Sequence, residues 1–518
     1  MRLATATDNP VRAGDDPARE ADAFAHSIAA SVAALTDLAA SLDALGAEIL
    51  EFQIALLDDA ELLDPVRDDI AAGRPADAAW LARIDAEIAD YAAAEDSYMA
   101  ARAADLRDLR DRVLNELRGG TADHDGAPDE AVIIAEDLAP STFLSIDWNR
   151  LGGAALTRGS ATSHVAILAR ARGVPMIVGL DPDADPEHGE TVVLDADEGQ
   201  LITRPGPATL AAVAARQADD DALRVAADAA ARRPAMTRDG QAVKILVNVD
   251  DPGLLAALPV ELCDGLGLMR SEFLFADHAP DEAAQLSAYT RVLRWADGRP
   301  VSIRTLDAGG DKPVPGVTID GEANPFLGVR GLRLSLARPA LFRVQLRALA
   351  RAAALGPLKV MLPMVTVPAE LEQAAAHLDA VCADLAADGI DHVRPPLGIM
   401  VETPAAALTA ADFDADFYSI GSNDLIQYTT ASARDAPELA GLADPHNPAV
   451  LELIRRTVAA GRSRGVEVSL CGDMASQPTL VPLLLSLGLD TLSVAPALLG
   501  RIKLAVADAA ASEGRSSS

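Results

Sequence analysis

The chain has 518 residues, enough for about three or four domains. Half of them are hydrophobic and 24% are charged, which excludes wholesale disorder. Acidic residues outnumber basic ones by 78 to 44, and the net charge of −34 argues against nucleic acid or an anionic membrane as the main partner. With aromatics at only 3%, there are too few rings for a base-stacking platform. Cys263, Cys382 and Cys471 are odd in number and far apart, so neither a disulfide framework nor a zinc pair is expected. The start lacks an apolar h-region and no apolar run reaches the roughly 18 residues of a membrane span. A cytoplasmic protein without membrane insertion is the expectation.

Residues 1–20 are polar, with Pro and Gly, and are predicted to be disordered. From 21 to 118 apolar residues recur at three- and four-residue steps, as in FAHSIAASVAALTDLAASLDALGAEILEFQIALL, broken at AAGRPADAA. That periodicity predicts a bundle of about four helices. RGGTADHDGAPDEA (118–131) has linker composition. Between 132 and 204 the period changes: AVIIAEDL reads as a strand, GGAALTRGSATSHVAILARARGVPMIVGL as strand, loop, helix, turn and strand, and TVVLDADEGQLIT as a hairpin. A small α/β domain results. The segment 205–240 holds a polar helix (207–233) with little apolar stripe, the kind that bridges domains.

After 240 come eight strand-like runs, at 244–249, 265–270, 301–306, 358–365, 397–402, 416–421, 466–472 and 491–496, with helical stretches between them. Apolar strands alternating with helices predict a parallel sheet buried on both faces, here a (β/α)8 barrel over 241–506. The long segment between the third and fourth strands predicts an inserted loop and an extra helix. Residues 507–518 form a predicted disordered tail.

Polar residues gather where the strands end. Arg270 ends the second, Arg304 the third, with Arg330 following in NPFLGVRGLR. Glu402 ends the fifth, Asn423 and Asp424 follow the sixth with Arg434 beyond, and Cys471 ends the seventh. Any one of these alone reads as a surface ion pair or loop residue. Together, at one barrel mouth, they read as a site. Arginine forks suit phosphate and carboxylate. Glu402 and Asp424 supply hard oxygen ligands for Mg²⁺. The residue types describe a pocket for a small phosphorylated carboxylate with a divalent metal. Cys471 is either a core thiol or a proton donor, and its strand-end position favours the donor. His164, in RGSATSHVAILAR, opens an apolar-striped helix behind Ser160, Thr162 and Ser163. The field there would stabilise an attached phosphoryl group, although a histidine in that position is more often a capping neighbour.

The motifs ATSHVAILAR, GLGLMRSEFLF, RTLDAGGDK, NPFLGVRGLR, GIMVETPAA, SIGSNDLIQYT, CGDMA and SVAPALLGRIK, in that order over about 150–503, resemble those of the Enzyme I family of the bacterial phosphotransferase system. The resemblance implies a helical region (21–118) that docks the carrier protein HPr, a swivelling phosphohistidine domain (132–204) and a phosphoenolpyruvate-binding (β/α)8 barrel, with dimerisation. It implies that His164 is phosphorylated through Nε2. It assigns the phosphate to Arg270 and Arg304, with Arg330 in the same pocket, and Mg²⁺ to Glu402 and Asp424. Asn423 and Arg434 would take the phosphate and carboxylate end of the substrate, and Cys471 would protonate the enolate. This sequence has Gly159–Ser160 where the family has Gly-Gly and Asp473 where it has Glu. The family's short opening strand and its further C-terminal helix are not found, which bears on packing of the phosphohistidine domain, HPr docking and the dimer. A pyruvate phosphate dikinase or phosphoenolpyruvate synthase relative would show a Gly-rich phosphate loop before the histidine, where this sequence reads as helical. A non-catalytic regulatory homologue would not need the complete set of barrel residues.

Overall fold

A computed structural model describes residues 16–40, 44–92, 97–119, 128–160, 163–181, 186–187, 189–275, 279–310, 314, 316–319, 321–433 and 437–510. The chain divides into two compact units, 1–217 and 218–518.

The first unit opens with five described helices: α1 (Pro17–Ala40), α2 (Ala44–Leu57), α3 (Ala60–Ala71), α4 (Ala76–Ala92) and α5 (Ser97–Arg118). This corrects the expectation of about four. The run read as continuous over 24–57 is divided between α1 and α2, and α3 follows with its N-cap at Asp59, whose carboxylate accepts from Glu61 N at 2.9 Å. Residues 17–20, expected to be disordered, are helix. Pro17 suits a first helical position because its missing N–H would have had no partner there. Glu20 is buried and accepts from Ala76 N at 2.8 Å, which fastens α1 to α4.

Next come β1 (Val132–Ala135), α6 (Pro140–Ser145), β2 (Gly153–Leu156), α7 (His164–Ala171) and β3 (Met176–Val178). The strands form a parallel sheet, β1-β2-β3, with Ile134 opposite Ala155 and Ala155 opposite Ile177. β4 (Val192–Asp195) and β5 (Gln200–Thr203) make the expected antiparallel hairpin, with Gly199 at φ 64° in its turn. The six-residue α6 is too short to print a period in sequence, and it went unpredicted. Phe24, Trp80 and Leu109 of the helices share one apolar cluster with Phe143, Leu156 and Val165 of the small module. The buried Asp108 accepts from Gln53 Nε2 (3.0 Å), Ser141 N (2.9 Å) and Ser141 Oγ (2.6 Å), tying α2, α5 and α6 together. α8 (Pro207–Ala231) follows with one buried residue, Ala227, as its polar composition predicts, and the division between the units falls within it.

The second unit is a closed barrel of eight parallel strands: β6 (Lys244–Val249), β7 (Leu266–Met269), β8 (Val301–Arg304), β9 (Leu358–Leu362), β10 (Leu397–Val401), β11 (Phe417–Ile420), β12 (Glu467–Leu470) and β13 (Thr491–Val494). β13 pairs with β6 and closes it, Leu492 opposite Ile245. Helices α9 (Glu282–Ala296), α10 (Leu332–Ala337), α11 (Pro339–Ala352), α12 (Pro368–Ala387), α13 (Pro404–Leu408), α14 (Ser422–Thr430), α15 (Pro448–Arg464), α16 (Val481–Ser486) and α17 (Leu499–Asp508) connect the strands and follow the last. α10 and α11 lie in the long third connection, as predicted. Of the disordered tail expected over 507–518, the described residues are ordered, since α17 runs to Asp508 and Ala509 O accepts from Arg238 N at 2.8 Å, and 511–518 lie outside the described residues.

Strand alternation sorts the side chains. Ile303, Ile399, Val401 and Leu470 face the helices and belong to the large core, whereas Leu268, Met361, Met400, Phe417 and Cys471 form a separate inner cluster. A residue two positions beyond an inner one faces inward again, which aims Arg270 and Glu402 into the mouth after Leu268 and Met400. Among the described residues no helix is long and apolar enough to cross a membrane.

Candidate active site

The C-terminal ends of the strands carry the charged groups. Arg304, the last residue of β8, is 4% exposed. Its guanidinium binds Glu272 and lies 3.2 Å from an Asp307 oxygen, with Met400 Sδ at 3.7 Å. Its Nε is buried and has no hydrogen-bond partner among the described residues. Arg330 is wholly buried and all five of its N–H donors are engaged. Nε and Nη2 reach the two oxygens of Asp307 at 3.0 and 3.1 Å. Nη1 and Nη2 reach the two oxygens of Asp424 at 3.0 and 3.1 Å, and Nη1 also reaches Tyr428 Oη at 3.3 Å. Both guanidiniums stay charged, because the adjacent carboxylates outweigh burial and raise their pKa values. Gly309, at φ 104°, permits this close packing. A Cβ there would meet Val329 O at 2.8 Å and Arg330 Cα at 3.1 Å.

Glu402, just past β10, is 1% exposed. Oε1 accepts from Met364 N at 2.6 Å, while Oε2 finds no partner among the described residues. Met364 holds φ 58°, a left-handed conformation rare for a side chain with a Cβ. Burial first, then the charges of Asp424 and Asp307, push the Glu402 carboxyl up to about 8, against the pull of Arg304. The orphaned Oε2 fits a cation. Asp424, although paired with Arg330, keeps spare lone pairs on each oxygen. The donor set is therefore one that Mg²⁺ accepts.

Cys471 follows β12 with its thiol 3.6 Å from Ile420 O. Burial raises its pKa, so it remains a protonated thiol. The charges of Glu402, Arg304 and Arg270 all reach it. Arg270 binds both oxygens of Asp250 at 2.7 and 2.9 Å and stays about one-third exposed. Asn423 Oδ1 accepts from Asp473 N at 2.8 Å, joining the β11 and β12 loops. Gly472 makes room for that junction, since a Cβ there would sit 2.0 Å from Ser422 Oγ.

Arg270, Arg304, Arg330, Glu402, Asn423, Asp424 and Cys471 thus all lie at the mouth of one barrel. His164 is the first residue of α7, in the other unit, behind Ser163, whose Oγ accepts from Ala166 N at 3.4 Å. Arg434 lies outside the described residues. Sequence reasoning passed over Asp307, Glu272, Asp250 and Tyr428. The signal for Asp307 was present: a buried arginine needs a carboxylate, and Asp307 stands three residues after Arg304 beside Gly309–Gly310.

Three family descriptions match the chain: PEP-utilising enzyme, PEP-binding domain at 225–511; PEP-utilising enzyme, mobile domain at 127–199; and PEP-utilising enzyme, N-terminal at 2–102. A phosphoenolpyruvate-protein phosphotransferase of Haloferax volcanii is 40% identical over 480 residues, covering 90% of this chain and 83% of that one. A phosphoenolpyruvate-protein phosphotransferase of Bacillus sp. (strain S) is 39% identical over 470 residues, covering 88% and 80%. A multiphosphoryl transfer protein of Xanthomonas campestris pv. campestris is 38% identical over 498 residues, covering 94% of this chain and 59% of that one. A barrel whose mouth pairs arginines with carboxylates, and likeness of this extent along nearly the whole sequence, make the chain a member of the PEP-utilising enzyme family.

Proposed function

We propose that the chain transfers the phosphoryl group of phosphoenolpyruvate to its own His164 and then to an HPr-like carrier protein, releasing pyruvate, as the first step of a cytoplasmic phosphotransferase system. One observation carries this reading. Two buried groups at the barrel mouth, Arg304 Nε and Glu402 Oε2, lack partners among the described residues, one calling for an anion and the other for a cation. Phosphoenolpyruvate with a divalent metal answers both.

In this reading Arg270 and Arg304 hold the phosphate, and Asn423 and Arg434 take the phosphate and carboxylate end. Arg330 has no N–H left to offer, so its part is to hold Asp307 and Asp424 in place. Glu402 and Asp424 would bind Mg²⁺, which offsets phosphate charge when present. His164 Nε2 attacks phosphorus, the bond to the enol oxygen breaks, and its electron pair leaves on the enolate. The Cys471 thiol gives its proton to the methylene carbon, pyruvate forms, and the thiolate regains a proton from water. In-line transfer needs reacting atoms about 3–3.5 Å apart. His164 must therefore visit both the barrel mouth and the carrier, whose docking we assign to the helical region.

Incubation with labelled phosphoenolpyruvate and Mg²⁺, followed by HPr-like proteins of the same organism, tests the scheme. Pyruvate release with label passing to a carrier is expected, and a requirement for ATP would contradict it. Cys471→Ala is expected to slow pyruvate formation by about 10²–10⁴-fold, the usual contribution of a positioned acid. Unchanged steady-state pyruvate release would make Cys471 a core thiol. Association through the barrel into a homodimer belongs to the same proposal. Light scattering at high protein concentration with Mg²⁺ and phosphoenolpyruvate should give twice the chain mass, and a monomer would count against it.

A further inference from the structure

Behind the barrel mouth lies a buried polar chain that neither the scheme above nor the family likeness assigns. Gln345, on α11, is 2% exposed. Its Oε1 accepts from Leu306 N at 3.0 Å, and its Nε2 donates to Ser271 Oγ at 3.1 Å and to Tyr289 Oη at 3.2 Å. The orientation of the amide is fixed by chemistry. A backbone N–H can only donate, so the oxygen must face Leu306. Tyr289 Oη, having accepted from Gln345, donates to Gln285 Oε1 at 3.1 Å, and Gln285 Nε2 donates to Pro280 O at 3.1 Å. Every hydrogen bond in the chain therefore runs one way.

The two residues at the inner end are what give the chain a use. Ser271 stands between Arg270 and Glu272, and Leu306 between Arg304 and Asp307. Both phosphate-binding arginines and the two carboxylates that hold Arg304 thus sit on loops that one amide spans. β7 and β8 are neighbours whose ladder ends at Met269 opposite Ile303, one residue before Arg270 and Arg304, so strand pairing does not reach Ser271 and Leu306 in the loops beyond. There a side chain from the outer helix layer joins the two loops.

We infer that Gln345 is a positioning residue that sets the β7 loop against the β8 loop and so holds Arg270 and Arg304 at the spacing one phosphate requires. The inference rests on the reading of the mouth as a phosphoenolpyruvate site. It makes Ser271 part of the device and leaves Tyr289 as an outer support.

Calorimetric binding of phosphoenolpyruvate with Mg²⁺ to the full chain, alongside thermal unfolding, separates positioning from simple core stability. Gln345→Leu and Ser271→Ala are each expected to raise Kd roughly tenfold or more, since a misplacement of about 1 Å can cost up to about 10²-fold. Tyr289→Phe leaves both loop bonds intact and is expected to lower Tm with Kd within about threefold of wild type. Should Gln345→Leu fail to fold, Ser271→Ala still decides the matter. Wild-type affinity in Ser271→Ala, or a rise in Tyr289→Phe as large as that in Ser271→Ala, overturns the inference. A wild-type chain that does not bind phosphoenolpyruvate would remove the functional reading and this inference with it, whereas normal wild-type binding with unaffected variants removes this inference alone.

Discussion

Glu402→Gln is expected to leave the protein without turnover of phosphoenolpyruvate and, in the absence of metal, to make it more stable than the wild type near pH 8. The stability part follows from the raised carboxyl. Below the unfolded-state value, near 4.3, both states carry the proton and nothing is lost. From there up to the folded value of about 8, the unfolded chain ionises while the folded one keeps its proton. The folded state then binds more protons than the unfolded, so stability falls as pH rises through this window. Above it both states are ionised and the loss levels off. Glutamine has no proton to lose, so the variant's Tm should lack that slope. A divalent cation prefers the ionised carboxylate. Its binding to the wild type should therefore release a proton and tighten with pH up to the same point. Thermal melts of both proteins in EDTA from pH 5 to 9 check the first statement. A parallel slope in both proteins, or full activity of the variant in excess EDTA, would contradict the assignment.

His164→Ala is expected to abolish phosphoryl transfer to the carrier while phosphoenolpyruvate binding to the barrel persists. The residue sits where α7 begins, and the free N–H groups of a helix's first turn favour an anionic adduct beside them. Ser163 Oγ already satisfies Ala166 N, which holds the start of the helix without the imidazole. Loss of function in this variant should therefore come with an unchanged melt. Labelling of the variant to the wild-type extent would end the claim that this histidine is the acceptor.

The barrel was legible because each strand is an apolar run bounded by polar residues. All eight observed strands fall within the runs read from sequence, and β6 matches to the residue. Their place at the ends of those runs made Arg270, Arg304, Glu402 and Cys471 readable as strand-end groups. Their electrostatic partners were less legible. Asp307 and Glu272 look like ordinary loop acids until burial of the arginines shows that something must neutralise them. The engagement of all five Arg330 donors depends on Tyr428 and Asp424 arriving from α14, far along the chain, and no local pattern announces that. Gln345 was invisible for the same reason: a lone glutamine on an amphipathic helix gains meaning only from the two loops it touches. In the first unit the fifth helix was missed because the apolar periodicity over 24–57 reads as one run although it is divided between α1 and α2, and α6 because six residues carry no period.

Mapping the phosphoryl group on the wild-type chain after exposure to labelled phosphoenolpyruvate and Mg²⁺ shows which residue accepts it. Cleavage after Arg158 and Arg170 releases GSATSHVAILAR, which contains His164 and no other histidine. An acid-labile, base-stable label is expected on that peptide, and it should disappear when an HPr-like carrier is added. An unlabelled chain, or a label that resides on any other peptide, would contradict His164 as the acceptor.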